Sequence, residues 1–65
     1  MKSFRIRNNT GREVILRLNS GRGLFIESGA TSHEIPDEEV NNNSMIINFQ
    51  EQRIITVKES IQTQG

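Results

Sequence analysis

The chain has 65 residues, eight Lys or Arg against eight Asp or Glu, and no cysteine. That length fits one small domain, and the missing thiols exclude both disulfide staples and thiolate zinc sites. No apolar run approaches the ~18 residues that span a bilayer, and Met1-Lys2-Ser3-Phe4-Arg5 lacks the apolar segment of a signal peptide, so the expected setting is the cytoplasm or a particle assembled there.

Taken in order, Lys2 to Arg7 alternates Phe4 and Ile6 with Ser3, Arg5 and Arg7, the period-two pattern of a strand with one apolar face. Asn8-Asn9-Thr10-Gly11 breaks it with turn-forming residues, which predicts that residues 2–18 fold as an antiparallel hairpin. Glu13 to Ile26 predicts a second hairpin. Val14, Leu16 and Leu18 form one face, Leu24 and Ile26 continue it, and Asn19-Ser20-Gly21-Arg22-Gly23 supplies a loop with glycines for positive backbone angles.

Glu27-Ser28-Gly29-Ala30-Thr31 is a further loop, and Ser32-His33-Glu34-Ile35 a short fourth strand that Pro36 must end or hold at an edge. Pro36 to Val40 reads as one helical turn, with Asp37, Glu38 and Glu39 where the helix dipole favours negative charge. Asn43 or Ser44 can cap a helix over Ser44 to Gln52, where Met45, Ile46 and Phe49 share a stripe. A strand over the same residues would need a turn at Gln50 to Arg53, which holds no Gly, Pro, Asn or Asp, so the helix is preferred. Arg53 to Lys58 is β-branched on both faces, as a central or covered strand would be, and Glu59 to Gly65 is a polar tail.

The fold expected is therefore mainly β: a small five-stranded meander curling toward a partly open barrel or roll, with one short α-helix between the last two strands. The domain should cover residues 1–58 and the tail 59–65. A core of this size seldom supplies more than about 3–5 kcal/mol, so partner subunits are the expected supplement.

Chemistry-bearing patterns are sparse. His33 beside Glu34, Asp37 and Glu38 has no metal-ligand spacing and reads as a solvated loop histidine. Gly21-Arg22-Gly23 falls inside a hairpin rather than between a strand and a helix, so it is a turn and not a phosphate cradle. Asp37-Glu38-Glu39 lacks an apolar pocket to split carboxylate affinities, and no serine has a nucleophile setting. The chain is expected not to be an enzyme and to need no cofactor or metal.

Charge is the more informative feature. Residues 1–22 carry six cations against Glu13 alone, residues 23–40 carry five carboxylates and no cation, and the remainder sums to zero. If the apolar face points inward, Arg5, Arg7, Ile15, Arg17 and Phe25 point outward together. Such a surface suits a protein interface best, an internal second core next, and single-stranded nucleic acid least, because one ring is a poor stacking platform and the net charge is zero. The candidate interface thus comprises Arg5, Arg7, Ile15, Arg17 and Phe25 on the sheet and Glu34, Asp37, Glu38 and Glu39 in the acidic segment. A head-to-tail contact would set the basic strands of one copy against the acidic segment of the next.

The order strand, Asn-Asn-Thr-Gly turn, strand, Asn-Ser-Gly turn, strand, Glu-Ser-Gly-Ala loop, Ile-Pro-Asp-Glu-Glu-Val, short helix and Arg-Ile-Ile-Thr-Val resembles small β-rich proteins encoded among phage virion and contractile-tail genes. The resemblance covers residues 2–58 at the level of pattern, except that the glycine expected near Gln52 is missing. It implies a non-catalytic assembly component of a capsid or tail. From size, charge and hydropathy, a protein partner or further copies of the chain are expected, and no membrane.

Overall fold

The computed structural model describes residues 2–60. In chain order the elements are β1 (Ser3–Asn8), β2 (Val14–Arg17), β3 (Gly23–Ile26), β4 (Ile35–Pro36), α1 (Asp37–Val40), α2 (Ser44–Glu51) and β5 (Ile55–Ser60). The protein is mainly β, with two helices between the last two strands where one was expected. Its strands lie in two sheets, β4-β1-β5 and β2-β3, which are not closed on each other.

The hairpin of β2 and β3 forms as its alternation requires, with Val14 opposite Ile26, Ile15 opposite Phe25, Leu16 opposite Leu24 and Arg17 opposite Gly23. Its loop closes through Leu18 and Arg22, with Gly21 at φ 95° supplying the left-handed backbone angle.

The expected pairing of the first two strands does not occur, so the order is not a meander. Antiparallel β1 is instead flanked by β5, with Ile6 opposite Val57, and by β4, with Phe4 opposite Ile35. The reason lies in Asn8. Its Oδ1 accepts from the Thr10 N–H at 2.8 Å and the Thr10 hydroxyl at 2.7 Å, while its Nδ2 donates to the carbonyls of Arg12 at 2.7 Å and Ile26 at 2.9 Å. A side chain that bonds the backbone two residues on builds a turn without requiring its flanking strands to pair. Here that turn steers the chain from one sheet into the other, and Asn8 is fully buried between them.

The other side of β1 carries a register change. Arg7 faces Thr31 in an isolated bridge, whereas Phe4 faces Ile35, so four residue steps oppose three. This is a bulge of one residue. The Ile6 N–H opposite it bonds the Ser32 hydroxyl at 3.0 Å. Alternation continued from Thr31 without the extra residue would turn Ile35 outward; with it, Ile35 is buried and Glu34 falls opposite Arg5. β4 is an edge, consistent with Pro36.

The core comprises Ile6, Val14, Leu16, Leu18, Leu24, Ile26, Ile35, Ile46 and Ile55, with Ala30, Val40, Phe49, Ile54 and Val57 packed partly buried against it. Every hairpin residue expected inward is there. Phe4 is only half-buried, because at its end of the sheet it sits between Ile35 and the exposed Glu59.

α1 is the single turn that Pro36 and its carboxylates predict. α2 is the preferred helix, capped by Asn43, whose Oδ1 accepts from the Ile46 N–H at 3.1 Å. Its inward pair is Ile46 and Phe49, and Met45 from the expected stripe stays exposed. No glycine ends this helix, yet its terminus is a glycine-type motif: Arg53 takes φ 63°, its N–H bonds the Gln50 carbonyl, and the Ile54 N–H bonds the Phe49 carbonyl. A left-handed arginine is strained by its Cβ. Arg53→Gly should therefore raise stability by about 0.5–1 kcal/mol, read as a higher urea midpoint with unchanged m-value; a lower midpoint would contradict that account.

β5 is an edge strand of its sheet, since β1 takes the middle, so of the two expected alternatives the central one fails; the covered one holds on its inward face, where Ile55 is buried and α2 packs against the strand. It also runs to Ser60, two residues beyond the expected boundary at Lys58, because Glu59 and Ser60 pair with Phe4 and Ser3. The rest of the expected tail, residues 61–65, lies outside the described residues.

Candidate protein-interaction surface

Alternation along β2 and β3 decides what the hairpin shows to solvent. Val14, Leu16, Leu24 and Ile26 face the core, so Ile15, Arg17 and Phe25 face out, with Ile15 54% and Phe25 63% exposed. These two apolar side chains are direct cross-strand neighbours. A Cβ added at Gly23 would stand 3.5 Å from Phe25 Cε1, so the ring leans along its strand over the glycine.

Both ends of the hairpin are tied down by buried asparagines. At the Ile26 end stands Asn8. At the other, Asn43 Nδ2 donates to the Arg17 carbonyl at 2.9 Å and to Asn19 Oδ1 at 3.0 Å. Asn19 Nδ2 in turn donates to the carbonyls of Glu38 at 2.9 Å and Asn41 at 2.7 Å. The Glu39 carboxylate accepts from the Ser20 N–H and hydroxyl, each at 2.8 Å. A two-stranded ribbon is marginal alone, and these bonds anchor it to the rest of the domain.

The sequence placed Arg5 and Arg7 on one surface with Ile15, Arg17 and Phe25. They are indeed exposed, but on the outward face of the other sheet. There Arg5 is opposite Lys58 and Arg7 opposite Thr56 and Thr31, around a shallow depression of about 320 Å³. Sequence reading overlooked Lys58, because its charge is cancelled within its own segment and only the β1–β5 register brings it to Arg5. Glu34 lies 3.9 Å from Arg5 and accepts from the Ser60 hydroxyl at 2.7 Å. Arg7, Lys58 and Arg17 have no ion-pair partner among the described residues.

The acidic segment is partly consumed internally. Glu39 holds Ser20 and Glu34 serves Arg5, whereas Glu38 is exposed and Asp37 half-exposed. The head-to-tail contact thus keeps fewer available carboxylates than the charge count implied. His33 is exposed, and among the described residues no three His, Cys, Asp or Glu side chains stand close enough to hold a metal ion.

These features define a small two-sheet β domain whose distinguishing surface is an exposed apolar pair on a braced hairpin. No family model, curated protein or solved structure matches the chain. Among the described residues no helix is long and apolar enough to cross a membrane.

Proposed function

We propose that this protein is a non-catalytic assembly component acting through protein–protein contacts, of the kind encoded among phage virion and contractile-tail genes and working in the cytoplasm or in a particle built there. The observation that carries this reading is the exposed Ile15–Phe25 pair on a hairpin fixed at both ends. Aromatic residues and arginine are enriched in interfaces, and a hairpin whose backbone is already anchored at both ends has less to order on binding. Phe25 and Arg17 supply both residue types on one face.

The alternative, a small nucleic-acid-binding module, draws support from Arg5, Arg7 and Lys58 clustered on the other sheet. It lacks a stacking ring there, since Phe25 lies on the hairpin. Labelled single strands should therefore bind only weakly and lose affinity steeply with salt.

The reading is tested by placing a photo-crosslinker at Phe25 in the cells that naturally make the protein, with Gln50 on the exposed side of α2 as control. Protein adducts are expected from position 25 at several times the control level. Equal labelling from both positions would overturn it.

A further inference from the structure

The outward face of the hairpin has a charge order that its exposure alone does not explain. The register pairs residues whose numbers sum to 40, as in Ile15 with Phe25 and Arg17 with Gly23. The ladder ends at Val14 and Ile26, and the next residue on each side is an exposed glutamate, Glu13 and Glu27, which alternation assigns to the same outward face. Along the strands the face therefore reads in three rows: two carboxylates, then Ile15 and Phe25, then Arg17 beside Gly23. One end is negative, the middle apolar and the other end positive.

We infer that this face docks on the same face of a second copy, about a two-fold axis that lies in the interface and runs across the strands. This rests on the assembly reading above and names the partner. Rotation about that axis reverses strand direction while keeping β2 over β2. Arg17 of each copy then meets Glu13 of the other, Ile15 meets Ile15, and Phe25 meets Phe25. The contact is isologous and closes at two copies. Each ring leans toward its own Gly23, and these directions are opposed in the pair, so the rings overlap offset, as aromatic pairs prefer.

The charge order selects this arrangement over its competitor. A two-fold axis running along the strands would lay Glu13 against Glu27 of the second copy and Arg17 against Gly23, gaining repulsion and no ion pair. Arg17 is suited to the selected contact because it has no ion-pair partner of its own among the described residues. The patch is small, roughly half the ~800 Å² per partner of a standard interface, so the dimer should be weak, with Kd on the order of 10–100 µM.

The test is sedimentation equilibrium of the whole chain across that concentration range, with two variants at exposed positions. Arg17→Glu makes both ends of the face negative, and Glu13→Arg makes its β2 side positive at both ends. Each alone should weaken self-association at least ~10-fold, since two attractive contacts become repulsive. Mixed in equal amounts, the variants should associate with each other about as tightly as the wild type does with itself, because every introduced charge then meets its opposite. Far-UV circular dichroism melts near the wild-type value establish that both are folded.

A wild type that stays monomeric throughout, or variants that fail to associate on mixing, would overturn the inference. The two readings fail separately. Crosslinks from position 25 to other proteins, with a monomeric purified chain, would leave the assembly role standing and remove the dimer.

Discussion

Asn8→Ala should remove about 2–4 kcal/mol of folding stability, more than any other single change to a polar side chain among the described residues. The replacement deletes four hydrogen bonds: the Thr10 N–H loses its acceptor, and the Arg12 and Ile26 carbonyls each lose one donor, around a side chain with no solvent exposure. A buried polar group left unsatisfied costs roughly 1–3 kcal/mol, more than a bond contributes on average. Against a total of roughly 3–10 kcal/mol for a chain of this length, the loss amounts to a large part of the whole. Since Trp and Tyr are absent, it is best read by circular dichroism, as a fall in midpoint of roughly 10–25 °C.

Asn8→Asp separates hydrogen bonding from shape. The introduced carboxylate has the same outline but no donors, and it faces the Arg12 and Ile26 carbonyls, so at neutral pH this variant should be less stable than Asn8→Ala. Burial against acceptors raises the folded-state pKa of the introduced group above its unfolded value. The penalty is therefore full above the folded pKa and shrinks as pH falls through it, when protonation restores one donor. Stability within 0.5 kcal/mol of wild type for Asn8→Ala would show that Asn8 does not join the sheets in the way described.

Asn43→Ala should cost about 2–3 kcal/mol through two separable losses. One is the helix cap on the Ile46 N–H, worth about 1 kcal/mol. The other is the pair of donations to the Arg17 carbonyl and Asn19 Oδ1, which hold the hairpin against the start of α2. Asn43→Ser keeps a capping oxygen but cannot make the longer reach, so it should recover about 1 kcal/mol and no more. Amide exchange provides the second readout. Protection of β2 should fall in both variants, whereas protection at the start of α2 should fall only in Asn43→Ala. Stability of Asn43→Ser equal to that of the wild type would mean that the hairpin is not anchored through this side chain, and equal stability of the two variants that the cap contributes nothing.

Both asparagines show where reading along the chain stops. Asn8 looks like a hairpin turn because Asn, Thr and Gly favour turns whatever they connect. Whether the strands on either side pair depends on what else competes for their edges. Ile6 pairs with Val57 across the whole length of the domain, and no local pattern near Ile6 announces that partner. Lys58 joins Arg5 for the same reason. Asn43, in contrast, is legible together with Ser44 as a candidate helix cap, because capping is a short-range bond between neighbours in sequence; its second task, holding Arg17 and Asn19, is not.

The candidate surface divides in the same way. That Ile15, Arg17 and Phe25 would face out together followed from alternation and a tight glycine turn, and the hairpin forms in that register. Grouping Arg5 and Arg7 with them assumed one continuous sheet, and the chain builds two.

What the sequence determined by itself is therefore the set of short-range features: the β2–β3 hairpin and its two faces, the turn at Pro36, a cap at Asn43 or Ser44 and the helix that follows. Each rests on residues within a few positions of one another, where side-chain spacing and backbone preference act directly. The tertiary structure alone decided the partners of β1, the bulge that turns Ile35 inward and Glu34 toward Arg5, the left-handed Arg53, and the burial of Asn8 between two sheets. Those outcomes depend on which distant strand wins each open edge, a competition settled by total burial and complete hydrogen bonding rather than by any local stretch of chain.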